Sequence, residues 1–257
     1  MNKLREKIEK REKLCGTITS LTDPAHSEMF GHIGYDYVWI DMEHTYMSYK
    51  DVMCHINSAR AANMPAIVRV PQHDLTATKK IIDMGPEGII FPMAKSAKEA
   101  KELIEMTLFP PNGTRGFGPL GALQFGKIDA QKFVDKGSFE LCRFVQIEHI
   151  DFLNELEEIV EYPYIDGFIF GPNDLSGSLG IMGHAFDKKV ADAINRAIEI
   201  LRKNNKYIGL AVGCSAETID YWSQFDADML TCGADWNFIY DGAKNTLDYM
   251  NSSFKNK

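Results

Sequence analysis

Eight short apolar runs punctuate the chain, and polar, turn-forming residues and segments of helical periodicity separate them. The runs are Cys15–Thr19, Tyr35–Asp41, Pro65–Val70, Glu87–Met93, Leu141–Glu148, Tyr164–Gly171, Tyr207–Gly213 and Ala227–Gly233. They are continuous rather than alternating, as expected of strands covered on both faces in a parallel sheet. Leu103, Ile104 and Leu108 recur at helical spacing after the fourth run, and Phe152, Leu153, Leu156, Ile159 and Val160 after the fifth. Val190, Ile194, Ile198 and Leu201 form a stripe before the seventh run, and Trp236, Ile239, Ala243 and Leu247 form another at the C-terminus. Each stripe is expected to cover one face of the sheet. Eight strands alternating with helical segments predict an α/β protein built as a (β/α)8 TIM barrel, with a doubly wound open sheet as the alternative. No linker, repeat or low-complexity tract divides the 257 residues, so one barrel domain spanning 1–257 is expected. The Gly- and Pro-rich stretch Phe109–Gly126 is long for a connection and reads as a functional loop.

Composition narrows the function classes. Lys and Arg number 28 against 36 Asp and Glu, a formal net charge of -8. That balance suits neither nucleic acid nor an anionic membrane, both of which attract basic faces. An anionic small molecule would need a local positive focus. The five cysteines (Cys15, Cys54, Cys142, Cys214 and Cys232) are far apart and include no C-x-x-C pair, which reads as reduced thiols. The N-terminal MNKLREKIEKREKL lacks the apolar core of a signal peptide, and no apolar run approaches the roughly 20 residues that span a bilayer. A cytoplasmic enzyme is expected.

In a parallel barrel, chemistry gathers at the carboxyl ends of the strands. The second strand ends in Asp41-Met42-Glu43-His44, the third with Arg69, and the fifth with Gln146-Ile147-Glu148. The sixth runs into Gly171-Pro172-Asn173-Asp174-Leu175-Ser176. Glu148 and Asp174 are the metal candidates. Two carboxylates without a Cys or His pair favour a hard ion such as Mg2+ or Mn2+, with about four octahedral positions left for water and substrate. The alternative is a solvated carboxylate at each strand end. Arg69 can hold a carboxylate bidentately, or pair internally with Glu43 or Asp41, or both. His44 stands three residues after Asp41, and an Asp–His pair would fix the imidazole tautomer. His149 is at most a supporting group. The GPNDLS turn leads into a helix, where successive N–H groups can face an anion. No lysine lies inside a predicted strand, which favours metal over Schiff-base chemistry.

VWIDMEH, VRV, IIDMGPEGIIFPM, PPNGTRGFG, VQIE and FIFGPNDLSGSLG occur in the order and spacing of the HpcH/HpaI aldolase family, which the chain resembles from about Gly16 to Asn245. The resemblance implies a barrel of the phosphoenolpyruvate/pyruvate type, assembled as a homohexamer with the C-terminal helix exchanged between subunits. It implies class II pyruvate aldolases, of the 4-hydroxy-2-oxoheptanedioate aldolase kind, that cleave 4-hydroxy-2-oxo acids to pyruvate and an aldehyde. A divalent cation (Mg2+, Mn2+ or Co2+) would be held by Glu148 and Asp174. Arg69 would bind the pyruvate carboxylate and steady the enolate. His44 with Asp41 would serve acid–base transfer, through a metal-bound water. Gln146 falls beside the metal ligands, the amides of Asn173 and Asp174 would contact the pyruvate carboxylate, and Asp83 would be a supporting carboxylate across the subunit interface.

One departure concerns the long loop. Many members carry an arginine shortly beyond the RGxG segment, where the distal part of the substrate is contacted; here the sequence is GFGPLGALQFG, with Leu123 or its neighbours in that place. A short or neutral aldehyde partner is therefore expected over a long dicarboxylate, and Arg115 is expected to brace the loop. Two other readings remain: a lyase acting on acyl-CoA thioesters, and a catalytically silent barrel that binds an oxo acid.

Overall fold

In the computed structural model, which describes residues 2–255, eight parallel strands close into a barrel in sequence order, with β8 paired back onto β1. They are β1 (Leu14–Thr19), β2 (Tyr37–Asp41), β3 (Ala66–Arg69), β4 (Gly88–Phe91), β5 (Cys142–Ile147), β6 (Gly167–Phe170), β7 (Tyr207–Val212) and β8 (Met229–Ala234). Every expected strand is present, and the closed order removes the open-sheet alternative. Several are shorter than the apolar runs, because Tyr164 already belongs to a turn and Gly171 is the N-cap of the following helix. The helices among the described residues are α1 (Lys3–Glu9), α2 (Ala25–Ile33), α3 (Tyr49–Ala61), α4 (Leu75–Met84), α5 (Ala97–Glu105) and α6 (Ala130–Asp135). They continue with α7 (Ile150–Asn154), α8 (Leu156–Ile159), α9 (Pro172–Ser178), α10 (Lys188–Lys203), α11 (Ala216–Trp222) and α12 (Asp235–Met250).

Two buried clusters explain why the strands read as unbroken apolar runs. Tyr37, Trp39, Ile67, Ile90, Phe144 and Ile169 fill the barrel interior. Val38, Ile40, Val68, Ile89 and Val145 alternate with them and pack outward against the helices. The interior is tight enough to dictate residue type: a Cβ at Gly16 would lie 2.2 Å from the Tyr37 ring, so only glycine fits there.

The N-terminal segment, read from sequence only as charged residues with single apolar positions, forms α1. Asn2 caps it by accepting from the N–H groups of Leu4 and Arg5. Leu4 and Ile8, one turn apart, join the interior cluster. Arg5 donates to both carboxylate oxygens of Asp166 at 2.9 and 3.0 Å. α1 thereby plugs the amino end of the barrel, and the carboxyl end is left for chemistry.

The C-terminal stripe behaves differently from the expectation. Helix α12 forms, but Trp236, Ile239 and Leu247 are each about half exposed, and Asp235 is its buried residue. The helix leaves the barrel after its first turn, where Phe238 packs edge-on against Phe30 at 6.0 Å. Its apolar stripe therefore does not cover this chain's own sheet. No described helix is long and apolar enough to cross a membrane.

Candidate active site

Strand alternation brings the side chains at 41, 69 and 146 to the inner face of the carboxyl rim. The β2–β3 register pairs Asp41 with Arg69. Arg69 Nε and Nη2 donate to the two Asp41 oxygens at 2.8 and 2.7 Å, and Nη1 lies 3.1 Å from Glu43 Oε2. The guanidinium also sits over the Trp39 ring, 5.2 Å from its centre. Burial opposes the Arg69 charge, but the hydrogen bonds and negative charge of Asp41, joined by Glu43, outweigh it and raise its pKa. Arg69 is thus both internally paired and fixed at the mouth, as the sequence allowed.

Glu148 follows the last residue of β5 and is 2 % exposed. Its Oε1 accepts from Gln146 Nε2 at 2.7 Å and its Oε2 from the Met93 amide at 3.0 Å. A Cβ at Gly171 would lie 2.7 Å from Oε1, so glycine there leaves room for the carboxylate. Burial, reinforced by the charges of Asp174 and Glu43, pushes the Glu148 carboxyl up to about 8. Asp174 occupies the first turn of α9, which Pro172 starts. The first intrahelical bond there runs from Leu175 N–H to Gly171 C=O at 3.0 Å, so the N–H groups of Asn173 and Asp174 precede the helical ladder.

A cavity of about 610 Å³ opens at this rim, and Asp41, Arg69, Gln146, Glu148, Asn173 and Asp174 all line it. The residues fit a hard divalent cation. Their donors are carboxylate oxygens. A cation would offset the burial and like-charge repulsion that now burden Glu148. Gln146 Oε1 is buried without a hydrogen-bond partner beside them. Among the described residues no group of three or more His, Cys, Asp and Glu is arranged to hold a metal, so a cation here would rely on two carboxylates and on oxygens from water or substrate.

Two sequence expectations change within this chain. His44 lines the cavity, but no Asp41–His44 pair forms, because Arg69 takes both Asp41 oxygens. The His44 ring instead lies 3.7 Å from Glu43 Oε2, and Glu43 thereby links imidazole to guanidinium. Asp83 does not line the cavity; Arg115 Nη2 donates to it at 2.8 Å. The long loop also stays away from the mouth in this chain. Arg115 is buried over the Phe109 and Phe133 rings and braces the loop, while Ala122 N–H donates to Asp83 C=O. That packing borders a separate flank cavity of about 490 Å³, so Leu123 does not supply the distal contact within this chain. His149 is the N-cap of α7, its Nδ1 accepting from the Asp151 amide at 3.2 Å. The sequence reading missed the rim residues Ser20, Leu21, Tyr46, Trp236 and Asn237; they follow β1, β2 and β8, and rim position was the signal available for them.

A sequence profile for the HpcH/HpaI aldolase/citrate lyase family matches residues 16–224. The chain belongs to that family. The chain is 32% identical over 222 residues to the hydroxypyruvate/pyruvate aldolase of Paraburkholderia phytofirmans, covering 84% of this chain and 83% of that one. It is 27% identical over 257 residues to the 2-keto-3-deoxy-L-rhamnonate aldolase of Escherichia coli, covering 99% and 95%. A crystal structure of an HpcH/HpaI aldolase/citrate lyase family protein from Burkholderia cenocepacia superposes with a TM-score of 0.89 at 25% identity, covering 98% of this chain and all of that one. The protein is an enzyme of the carbon–carbon lyase class.

Proposed function

We propose that the enzyme is a divalent-metal-dependent aldolase that cleaves 4-hydroxy-2-oxo acids to pyruvate and an aldehyde. The observation that carries this reading is the meeting of the Glu148–Asp174 carboxylate pair with a fixed, charged Arg69 in one cavity. Glu148 and Asp174 would hold Mg2+, Mn2+ or Co2+. When bound, the cation supplies Lewis acidity toward the 2-oxo group of the substrate.

The protein groups supply the remainder. Arg69 presents positive charge to the pyruvate half, where negative charge builds as the carbon–carbon bond breaks. Its pairing with Asp41 and Glu43 fixes its direction before substrate arrives. The amides of Asn173 and Asp174 are free to donate to the pyruvate carboxylate. Gln146 holds one Glu148 oxygen in place. His44 stands exposed at the mouth, where it can accept the proton of the 4-hydroxyl group, with Glu43 Oε2 3.7 Å from its Nε2. Formation of pyruvate from a 4-hydroxy-2-oxo acid, measured before and after thorough chelation and after metal is returned, tests the reading. Turnover that survives metal removal contradicts it.

The same proposal includes assembly. The exposed stripe of α12 fits exchange with a second copy of this chain in a homo-oligomer, a hexamer by family resemblance. Asp83 and Arg115 would then act as a supporting pair at a subunit boundary.

A further inference from the structure

The half of the cavity away from Glu148 and Asp174 has a chemistry of its own. Ser20, Leu21, Tyr46, Val212, Trp236 and Asn237 line it. They offer apolar and aromatic surface with hydroxyl and amide groups. Among the described lining residues Arg69 is the single Lys or Arg, and its guanidinium is committed to Asp41 and Glu43. Three lining carboxylates (Asp41, Glu148 and Asp174) already face the space, with Glu43 close by. A divalent cation and Arg69 would balance the three lining charges but not Glu43 as well, and the pyruvate carboxylate would then add one more negative charge. A second anionic group on the substrate would meet repulsion with no further Lys or Arg among the described lining residues to receive it.

The neutral wall is also fixed in place. Asp235, 2 % exposed, accepts from the Thr19 hydroxyl at 2.8 Å, from Ser20 N–H at 3.0 Å, from Leu21 N–H at 3.0 Å and from Trp236 N–H at 2.9 Å. One buried carboxylate therefore ties the loop after β1 to the start of α12. Two sides of the wall form a single hydrogen-bonded unit.

We infer that this wall makes the enzyme select an uncharged aldehyde, apolar or hydroxylated, and reject aldehydes that carry a carboxylate or phosphate, with Tyr46 and Trp236 as specificity-determining residues. The inference rests on the proposed aldolase reading and names its substrate class.

The test uses the full-length, metal-loaded enzyme with pyruvate and pairs of aldehydes of matched length: glycolaldehyde against glyoxylate, and butanal against succinic semialdehyde. Within each pair kcat/KM should favour the neutral aldehyde by ~10-fold or more, a discrimination that like-charge repulsion readily supplies. Trp236→Arg should reverse or erase the preference in the second pair. Tyr46→Arg, at a more exposed position, serves as an independent variant should the first fold poorly. Exchange of the pyruvate methyl protons in D2O, measured without any aldehyde, separates the two levels. Exchange with a wild-type preference for the anionic aldehydes overturns the inference and leaves the aldolase reading standing. Folded arginine variants that leave the ratio unchanged overturn the assignment of the wall. Absence of exchange overturns the aldolase reading and this inference together.

Discussion

Arg69 is placed where one side chain can serve both the structure and the proposed chemistry. It neutralises two acidic neighbours and still faces the cavity. Arg69→Ala should therefore leave Asp41 and Glu43 buried without a counter-charge, lowering stability by about 3–5 kcal/mol. It should also weaken pyruvate binding while the Glu148–Asp174 pair keeps its affinity for metal; parallel calorimetric titrations with pyruvate and with Mn2+ distinguish the two losses. Arg69→Lys retains the charge but loses the fork that grips both Asp41 oxygens, so it should recover metal-loaded folding more than pyruvate affinity. The convergence of Glu148, Asp174 and Arg69 on one cavity was legible because strand ends meet at one rim of a barrel. The partner of His44 was not. Sequence spacing suggested Asp41, but the β2–β3 register sets Arg69 directly beside that carboxylate, and register is not written in spacing. Gln146 is a similar case: its position two residues before Glu148 places both on the inner face, while its donation to Glu148 shows only in three dimensions.

The elements carry consequences that no single site residue reveals. The loop after β1 is held from below by Asp235 and from the side by His55 of α3. His55 Nε2 donates to Leu21 C=O at 2.9 Å, and its Nδ1 lies 2.8 Å from the Ser27 hydroxyl, which donates to it in the neutral ring. Burial lowers the pKa of His55. In the unfolded chain the ring takes a proton near its ordinary value of about 6.5. The contribution of the neutral ring to stability is thus complete above that pH and is lost as pH falls below it. The thermal midpoint should drop between pH 7 and pH 5, and His55→Gln should flatten that part of the profile. An unchanged slope in the variant would remove His55 as the cause. Apolar periodicity announced the strands and α10 well, because both are buried against their own chain. It announced α12 as a helix but not its surroundings, since a stripe records that a face is apolar and not which molecule covers it. α1 went unread because two buried residues, Leu4 and Ile8, are too few to stand out among the nine charged ones of the first 14 residues.

At the scale of the whole molecule, an acidic chain would bring two positive charges, a bound cation and Arg69, together at one rim. The net charge of -8 includes the carboxylates that would hold the cation, so the overall charge says little about what the cavity attracts. α1 closes one end of the barrel, and the opposite rim gathers groups from seven of the eight strand ends or the loops that follow them. The apolar face of α12 reaches beyond this framework. Ile239→Glu combined with Leu247→Glu should leave the barrel folded and dissociate the homo-oligomer, as sedimentation velocity would show. A wild-type protein that sediments as a monomer would refute the exchange of α12. The central claim concerns the metal-dependent activation of the pyruvate half, and proton exchange at the pyruvate methyl group, followed by NMR in D2O, tests it most directly. The account predicts exchange in the Mg2+- or Mn2+-loaded enzyme, its loss on chelation, its return with metal, and little exchange in Glu148→Gln under any condition. Exchange at an undiminished rate in the metal-stripped enzyme, or in Glu148→Gln, would contradict it.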